Sequence, residues 1–230
     1  MNGQNNDARE INRAFQWLSE YYDKPIHPKY HSVTTLVEAI SLLERFGDEA
    51  RLFAGGTDLI GLMKNRVHTP GVLVNIKPIR KMQHVVLNSG WLSIGALTLI
   101  GEMGSSPLIR QQYPILFEAS RAVASPHIRN MATIAGNLCQ ETRCSYYRRP
   151  PDTGLSFNCR RKSETGVCYA LNSEKQYFGV TGSAPCVSVC PSDLATVLLA
   201  VDGKIKIEGS KGGKRPRLSG IIRHQQTTSA

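Results

Sequence analysis

A helix that leads directly into a glycine-terminated strand constrains the fold of this chain more than any other feature. The segment "TTLVEAISLLERFG" places Leu36, Ile40 and Leu43 on one apolar helix face. Thr35 and Glu38 have the spacing of a capping box. The next segment, "RLFAGG", is typical of a short strand that ends in two glycines. Together they predict an α/β unit with a glycine turn at the end of its strand.

The same alternation continues along the chain. We predict buried strands at "GVLVNI" and "WLSIGA" and a helix at "PILFEASRAVAS". A later helix, "PSDLATVLLAVDG", has Ser192 as its predicted N-cap and is followed by the strand-like "KIKIEG". Near the N-terminus, "REINRAFQWLSEYY" predicts one short helix. Strands that alternate with helices favour a mixed helix and strand fold.

Composition and charge exclude several classes of protein. With 230 residues and 41% hydrophobic content, the chain can bury one or two ordinary cores. It has no apolar run of about 18 residues and no basic, apolar N-terminal signal, so we predict a cytoplasmic protein without a membrane partner. The net charge is +10, but residues 203–224 carry seven Lys and Arg against one acid. Nucleic acid is therefore not a predicted partner.

Two glycine turns are candidate binding sites for a pyrophosphate. In "LFAGGTDL", backbone N–H groups follow a strand without side-chain cover, beside Thr57 and Asp58. In "ATIAGNL", the small or polar contacts are Thr133, Gly136 and Asn137. Either turn alone is also typical of an ordinary loop. Neither matches the glycine motifs of nicotinamide or nucleoside-triphosphate sites.

Cysteines cluster in one part of the chain. Five of the six lie between Cys144 and Cys190, and Cys139 lies just upstream. In a reducing compartment such clustering indicates metal or redox chemistry rather than disulfides. The six histidines are scattered, and we find no Ser/His/Asp or Cys/His catalytic set. No catalytic residue is predicted.

Several motifs in order resemble the FAD-binding medium subunit of the molybdenum hydroxylase (xanthine dehydrogenase) family. They are "AGGTDLIGLMK", "LVNI", "LSIGALT", "ASPHIRNMATIAGNL" and "PSDLATVLLAVDGKIKI", within residues 30–208. The resemblance implies an α+β FAD-binding fold of two subdomains with the flavin between them. It also implies these contacts to FAD: Ala54, Gly55, Gly56, Thr57, Asp58, Thr133, Gly136 and Asn137 near the pyrophosphate, and Asp193 near the ribityl chain.

The resemblance also divides the chain. The expected parts are an N-terminal extension (1–28), a first FAD-binding subdomain (29–95), a second subdomain (96–208) that includes a cysteine-rich insertion (139–190), and a basic tail (209–230). The tail departs from the family pattern, in which a further C-terminal subdomain follows. We therefore expect that subdomain to be missing, as in a truncated or frame-shifted subunit.

The insertion resembles that of the 4-hydroxybenzoyl-CoA reductase branch, which holds a [4Fe–4S] cluster. The positions that match its ligands are Cys144, Cys159, Cys168 and Cys186. The gaps between them are 14, 8 and 17 residues, and spacing alone leaves zinc open beside iron. Cys190 is an alternative to Cys186. Cys139 is predicted to be a small buried thiol against the flavin loop.

The resemblance thus implies an FAD and iron–sulfur subunit that transfers electrons within a molybdenum enzyme. Its partners would be a large molybdopterin subunit and a small [2Fe–2S] subunit. Two alternatives stay open: a zinc-stabilised interaction or nucleic-acid-binding module, and an inactive truncated fragment. The substrate is not encoded in this chain.

Overall fold

The computed structural model describes residues 28–149, 157–173, 178–179 and 186–210. The predicted N-terminal helix and the tail beyond residue 210 lie outside these ranges. Buried apolar side chains in the described residues gather in two larger clusters and one small cluster. Among the described helices, none is both long and apolar enough to cross a lipid bilayer.

The first cluster lies between a small parallel sheet and one helix. Strand β1 (Lys29–Ser32) and strand β2 (Ala50–Phe53) flank strand β3 (Val72–Asn75), and all four residues of β3 are buried. In the register, Val72 lies opposite both Lys29 and Ala50. Because the strands are parallel, the glycine turn after β2 lies at the carboxyl edge of the sheet, where α/β folds bind ligands.

Helix α1 (Leu36–Phe46) confirms the predicted capping and periodicity. Thr35 Oγ1 accepts a hydrogen bond from the Glu38 N–H at 3.2 Å. The Glu38 carboxylate accepts in turn from the N–H of Thr34 at 3.0 Å, one residue before the predicted partner. At the other end, Gly47 has a φ of 49°, a conformation that favours glycine.

A two-stranded hairpin connects the two larger clusters. Strand β4 (Val85–Asn88) pairs antiparallel with strand β5 (Trp91–Ile94), and positive φ angles at Ser89 and Gly90 form the turn. The predicted strand at "WLSIGA" is therefore present, but only partly buried. Side chains of both strands pack against the second cluster. The expected subdomain boundary after residue 95 stays a prediction.

The second cluster is helical. It includes Ile100, Met103, Ile109, Leu116 and Leu194, all almost fully buried. The remaining α-helices of the described residues are α2 (Leu59–Lys64, after the first glycine turn), α3 (Ile100–Met103), α4 (Pro107–Gln112), α5 (Pro114–Ala122), α6 (Pro126–Arg129), α7 (Ile134–Leu138), α8 (Ser145–Arg148) and α9 (Asp193–Ala200). Helix α2 packs against the small cluster rather than the second one.

Three predicted helical features in the C-terminal part have clear outcomes. The helix at "PILFEASRAVAS" is present as α5, and the one at "PSDLATVLLAVDG" as α9. Ser192 caps α9 by accepting a hydrogen bond from the Ala195 N–H at 3.1 Å. The predicted strand at "KIKIEG" is wrong for the described residues, which form isolated bridges at Lys204 and Ile207. Apolar alternation does not itself supply a pairing strand.

Candidate functional site

The two glycine turns lie against each other. A Cβ atom at Gly55 would lie 2.0 Å from the carbonyl oxygen of Met131, just before the second turn. That turn is held in place by hydrogen bonds from Ile100 N–H to Ala132 O (2.9 Å) and from Ile134 N–H to Thr98 O (3.0 Å). Because backbone occupies the space, no side chain fits at position 55 without displacing the second turn.

A groove with a volume of about 430 Å³ lies along both turns. Seven of the nine residues predicted to contact FAD line it: Ala54, Gly55, Gly56, Thr57, Asp58, Thr133 and Gly136. Gly56 has a φ of +71°, and a Cβ there would lie 2.7 Å from the ring of Phe53. The first turn therefore keeps its backbone close to the groove, which is the arrangement that a phosphate-binding turn requires.

The second turn is the start of helix α7. Thr133 caps that helix, and its Oγ1 accepts a hydrogen bond from the Gly136 N–H at 3.1 Å. Asn137 is buried, and its Oδ1 accepts from the Ser192 hydroxyl at 2.7 Å. Asp193 is the exposed first residue of α9. Neither Asn137 nor Asp193 lines the groove, and their contacts with FAD stay a prediction.

Asp58 lines the groove, but its carboxylate has protein partners. Its Oδ1 accepts from Arg148 Nη2 at 2.7 Å, and its Oδ2 accepts from the Glu141 N–H at 2.9 Å. Asp58 directly precedes helix α2, and both partners belong to the start of the cysteine-rich segment. Asp58 therefore connects the first glycine turn to the segment that we expected to be an insertion.

Glu141 and His68 form a second polar contact on the groove wall. His68 Nε2 lies 2.5 Å from Glu141 Oε1, and the Tyr147 hydroxyl donates to Glu141 Oε2. Burial raises the pKa of Glu141, but the hydrogen bonds from His68 and Tyr147 and the charges of His68 and Arg161 outweigh it and lower that pKa below its usual value. Burial and the Glu141 carboxylate raise the pKa of Tyr147, which stays protonated.

The four predicted cluster ligands are electrostatic neighbours. Burial raises the pKa of Cys159, and Cys144, Cys186 and Cys168 raise it further, against a backbone hydrogen bond from Arg161 that lowers it. A backbone bridge between Cys159 and Val167 brings Cys168 near. Within the described ranges, however, no three His, Cys, Asp or Glu side chains have the arrangement of a metal site.

The prediction for Cys139 is wrong in one respect. We expected a small buried thiol. The residue as a whole is exposed and lines the groove, although burial raises the pKa of its thiol, as expected for a shielded thiol group. It follows the last residue of α7, where the chain passes along the groove wall.

Sequence reasoning missed the polar groove residues His68, Gln140 and Glu141, and it missed the structural role of Arg148. The run "CQETR" contains Gln140 and Glu141 but neither His68 nor Arg148. Local spacing could not predict the contact between Asp58 and Arg148, because the two residues are 90 positions apart in the sequence.

The fold and the groove define a flavin-binding domain built around two glycine turns. The chain belongs to the family described as "FAD binding domain in molybdopterin dehydrogenase", which it matches over residues 22–229. The match extends through the tail that we expected to depart from the family pattern.

Two relatives show how similar the sequence is to known subunits. The FAD-binding subunit PaoB of an aldehyde oxidoreductase from Escherichia coli K12 is 33% identical over 187 residues, which is 81% of this chain and 57% of PaoB. The medium chain of a carbon monoxide dehydrogenase from Hydrogenophaga pseudoflava is 34% identical over 110 residues, which is 48% of this chain and 38% of that one. The chain thus spans about half the length, or less, of these relatives.

Solved structures give the same fold. A carbon monoxide dehydrogenase from Hydrogenophaga pseudoflava that lacks the Mo-pyranopterin moiety matches with a TM-score of 0.61 and 23% identity, over 85% of this chain and 52% of the other. Quinoline 2-oxidoreductase from Pseudomonas putida 86 matches with a TM-score of 0.58 and 19% identity, over 84% of this chain and 50% of the other. At these identities the similarity shows the fold alone.

Proposed function

We propose that this protein is an FAD- and iron–sulfur-containing electron-transfer subunit of a molybdenum hydroxylase-type oxidoreductase. The observation that carries the proposal is the groove between two touching glycine turns, in a chain of the FAD-binding family. Groove volumes of a few hundred Å³ are usual for cofactor sites.

The residues at the groove fit an FAD pyrophosphate. The space that a Cβ would fill at Gly55 and Gly56 is taken by the Met131 backbone and by the Phe53 ring, so the first turn has no room for side chains at these two positions. In the proposed complex the backbone of residues 54–57 and the turn at Thr133 and Gly136 bind the pyrophosphate. Asn137 is a further proposed contact near the pyrophosphate, and Asp193 is a proposed contact near the ribityl chain. The bound flavin supplies the electron-transfer chemistry, and the protein positions it.

The second proposed cofactor is a [4Fe–4S] cluster on Cys144, Cys159, Cys168 and Cys186, as in the 4-hydroxybenzoyl-CoA reductase type. Its support is that, beside burial, the neighbouring Cys168 and Cys186 raise the pKa of both Cys144 and Cys159. Thiolates are the ligands that iron–sulfur clusters prefer. The alignment with PaoB covers 187 of the 230 residues of this chain. A single span of that length must include residues 144–186, wherever it begins.

The rest of the proposal concerns the assembly. The partners would be a large molybdopterin subunit and a small [2Fe–2S] subunit, and the substrate would bind to the large one. We propose the cytoplasm as the location, because its reducing conditions keep cluster thiols available. The comparisons give no support to a zinc-stabilised or nucleic-acid-binding module, or to an inactive fragment.

The test is an absorption spectrum of the anaerobically purified 230-residue chain, with FAD, iron, sulfide and zinc measured on the same sample. We expect flavin bands on a broad iron–sulfur absorption, with one FAD and four irons per chain. A colourless protein that contains zinc and takes up no added FAD would contradict the proposal. Flavin without iron would restrict it to FAD binding.

A further inference from the structure

The groove carries two carboxylates, although the cofactor that we propose for it is itself an anion. Asp58 and Glu141 both line the groove, and a negative side chain repels a pyrophosphate. The backbone of the glycine turns suits the pyrophosphate, and the apolar lining residues Leu43, Leu52 and Ile76 suit a flat ring. The two carboxylates therefore need a separate explanation.

Protein groups occupy the two carboxylates to different extents. The Asp58 side chain is 18% exposed, and its oxygens accept from Arg148 and from the Glu141 N–H. The Glu141 side chain is 30% exposed, and each of its oxygens accepts from one side chain, His68 or Tyr147. Because an ionised carboxylate offers about four accepting sites, Glu141 keeps about two of them for a ligand.

The Glu141 carboxylate is also held in a fixed position. His68 and Tyr147 contact different oxygens of it, and Tyr147 is itself buried. Burial raises the pKa of Glu141, but these hydrogen bonds outweigh it and keep that pKa below its usual value. Glu141 is therefore an ionised acceptor at neutral pH, of the kind that forms strong hydrogen bonds with neutral hydroxyl donors.

Other polar side chains along the groove are used within the protein. Gln140 Nε2 donates to the carbonyl oxygen of Asn137 at 3.0 Å, and its Oε1 accepts from Arg143 Nη2 at 2.9 Å. Thr133 Oγ1 accepts from the Gly136 N–H as the cap of α7. Of the two groove carboxylates, Glu141 is thus the one with exposure and accepting capacity for a bound ligand.

We infer that Glu141 is a specificity-determining residue of the groove, whose carboxylate accepts hydrogen bonds from sugar-type hydroxyl groups of FAD. The inference rests on FAD binding, the first part of the proposed function. FAD carries such hydroxyls at two places, the ribityl chain and the ribose of its adenosine half. Neighbouring hydroxyls match the two oxygens of one carboxylate, and hydroxyls carry no charge for it to repel. His68 and Tyr147 are positioning residues that hold the carboxylate in place.

The experiment compares three ligands on the full 230-residue chain and on its Glu141→Gln variant. FAD dissociation constants are measured by flavin fluorescence, and ADP and inorganic pyrophosphate are titrated as competitors of FAD. We expect Glu141→Gln to bind FAD about 10-fold more weakly, since hydrogen bonds to a charged acceptor are lost. It should bind pyrophosphate, which has no sugar hydroxyl, as tightly as wild type or more tightly, because a negative charge has left the groove.

ADP separates the two sources of hydroxyl groups, because it keeps the ribose and lacks the ribityl chain. If Glu141→Gln weakens ADP binding as it weakens FAD binding, the carboxylate contacts the ribose. If ADP follows pyrophosphate instead, the carboxylate contacts the ribityl chain.

Two further variants test the positioning role and provide the control. Tyr147→Phe removes one donor to the Glu141 carboxylate and should weaken FAD binding about threefold, with pyrophosphate binding unchanged. Glu102→Gln is the matched control, because the Glu102 carboxylate also accepts from two donors, Gln83 Nε2 and the Leu99 N–H, and does not line the groove. It should leave the affinities for all three ligands unchanged.

The comparison of FAD with pyrophosphate is informative because a general loss of structure would weaken the binding of both. Glu141→Gln binding FAD as tightly as wild type, or more tightly, would overturn the inference and leave FAD binding established. An equal loss of affinity for FAD and pyrophosphate would overturn it as well. If the wild-type chain binds no FAD, the proposed function fails instead.

Discussion

The glycine turns and the start of the cysteine-rich segment line one groove, but different forces hold the two regions. The turns lie between two large apolar clusters and touch each other through backbone, as at Gly55 and Met131. The cysteine-rich segment has one small cluster and a set of polar contacts centred on Arg148. The first region is shaped by packing, whereas the second needs its charges and, in our proposal, its cofactor. Damage to the first should therefore affect folding, and damage to the second should affect cofactor content.

The largest effect is expected from Gly55→Val. The valine side chain would collide with the Met131 carbonyl, so the second turn must shift or the chain must unfold. We expect a loss of about 3 kcal/mol or more in the free energy of unfolding, and loss of FAD binding. Denaturant unfolding measures the loss of stability, and flavin fluorescence measures the loss of FAD binding. Gly61→Ala is the control, since a Cβ at Gly61 meets nothing within 4 Å. A folded, FAD-binding Gly55→Val variant would remove the turn from the site.

The matching change in the other region is serine at each proposed cluster ligand. We expect Cys144→Ser, Cys159→Ser, Cys168→Ser and Cys186→Ser each to lose most of the iron and acid-labile sulfide, because the hydroxyl is a poor soft ligand. Cys139→Ser should keep both, since Cys139 lines the groove. Iron and acid-labile sulfide analysis of the folded variants measures these losses. Full iron content in the four variants would show that the cysteines are not its ligands.

A smaller effect is expected where helices α7 and α9 are joined by the Ser192–Asn137 hydrogen bond. In Ser192→Ala the cap of α9 is lost, and the buried Asn137 Oδ1 loses its donor. We expect a loss of about 2 kcal/mol in stability. Ser125→Ala, which removes an exposed cap of α6, should cost about 1 kcal/mol or less. Thermal unfolding of both variants tests the difference, and equal losses would mean that the Asn137 contact contributes nothing.

The smallest effect concerns pH. The pKa of Glu141 is lowered in the folded chain, so its contribution to stability is present above its ordinary value of about 4.5 and is lost as pH falls below it. Glu141→Gln should therefore be less stable than wild type at pH 7, and the gap should close towards pH 3. Unfolding curves across this range provide the measurement. If the difference in stability between Glu141→Gln and wild type does not change with pH, the Glu141 carboxylate is not the cause of that difference.

Local patterns predicted the first region well. The caps at Thr35 and Ser192 follow from neighbouring residues, and so do the glycine turns. Strand β1 was missed because "KYHS" is polar and mostly exposed, and only its pairing with β3 makes it a strand. Strand β4 was missed as well, since its side chains are mostly exposed before the turn at Ser89.

The residues of the site also fall into those that the sequence predicted and those that it could not predict. Most of the residues predicted from the turns line the groove, because a turn is encoded within a few residues. The Asp58–Arg148 contact and the Glu141 wall were not predictable, since they depend on a tertiary approach between segments far apart in sequence. The family resemblance supplied the four proposed cysteine ligands, for which spacing left zinc and iron open.

The central claim is that one chain holds a flavin in the groove and an iron cluster beside it. Crystals of the anaerobic chain with FAD, measured at the iron absorption edge, test both parts in one data set. We predict electron density for the FAD pyrophosphate against Gly55, Gly56 and Gly136, and an anomalous iron peak enclosed by Cys144, Cys159, Cys168 and Cys186. Flavin density elsewhere, or an anomalous peak only at the zinc edge, would contradict the claim.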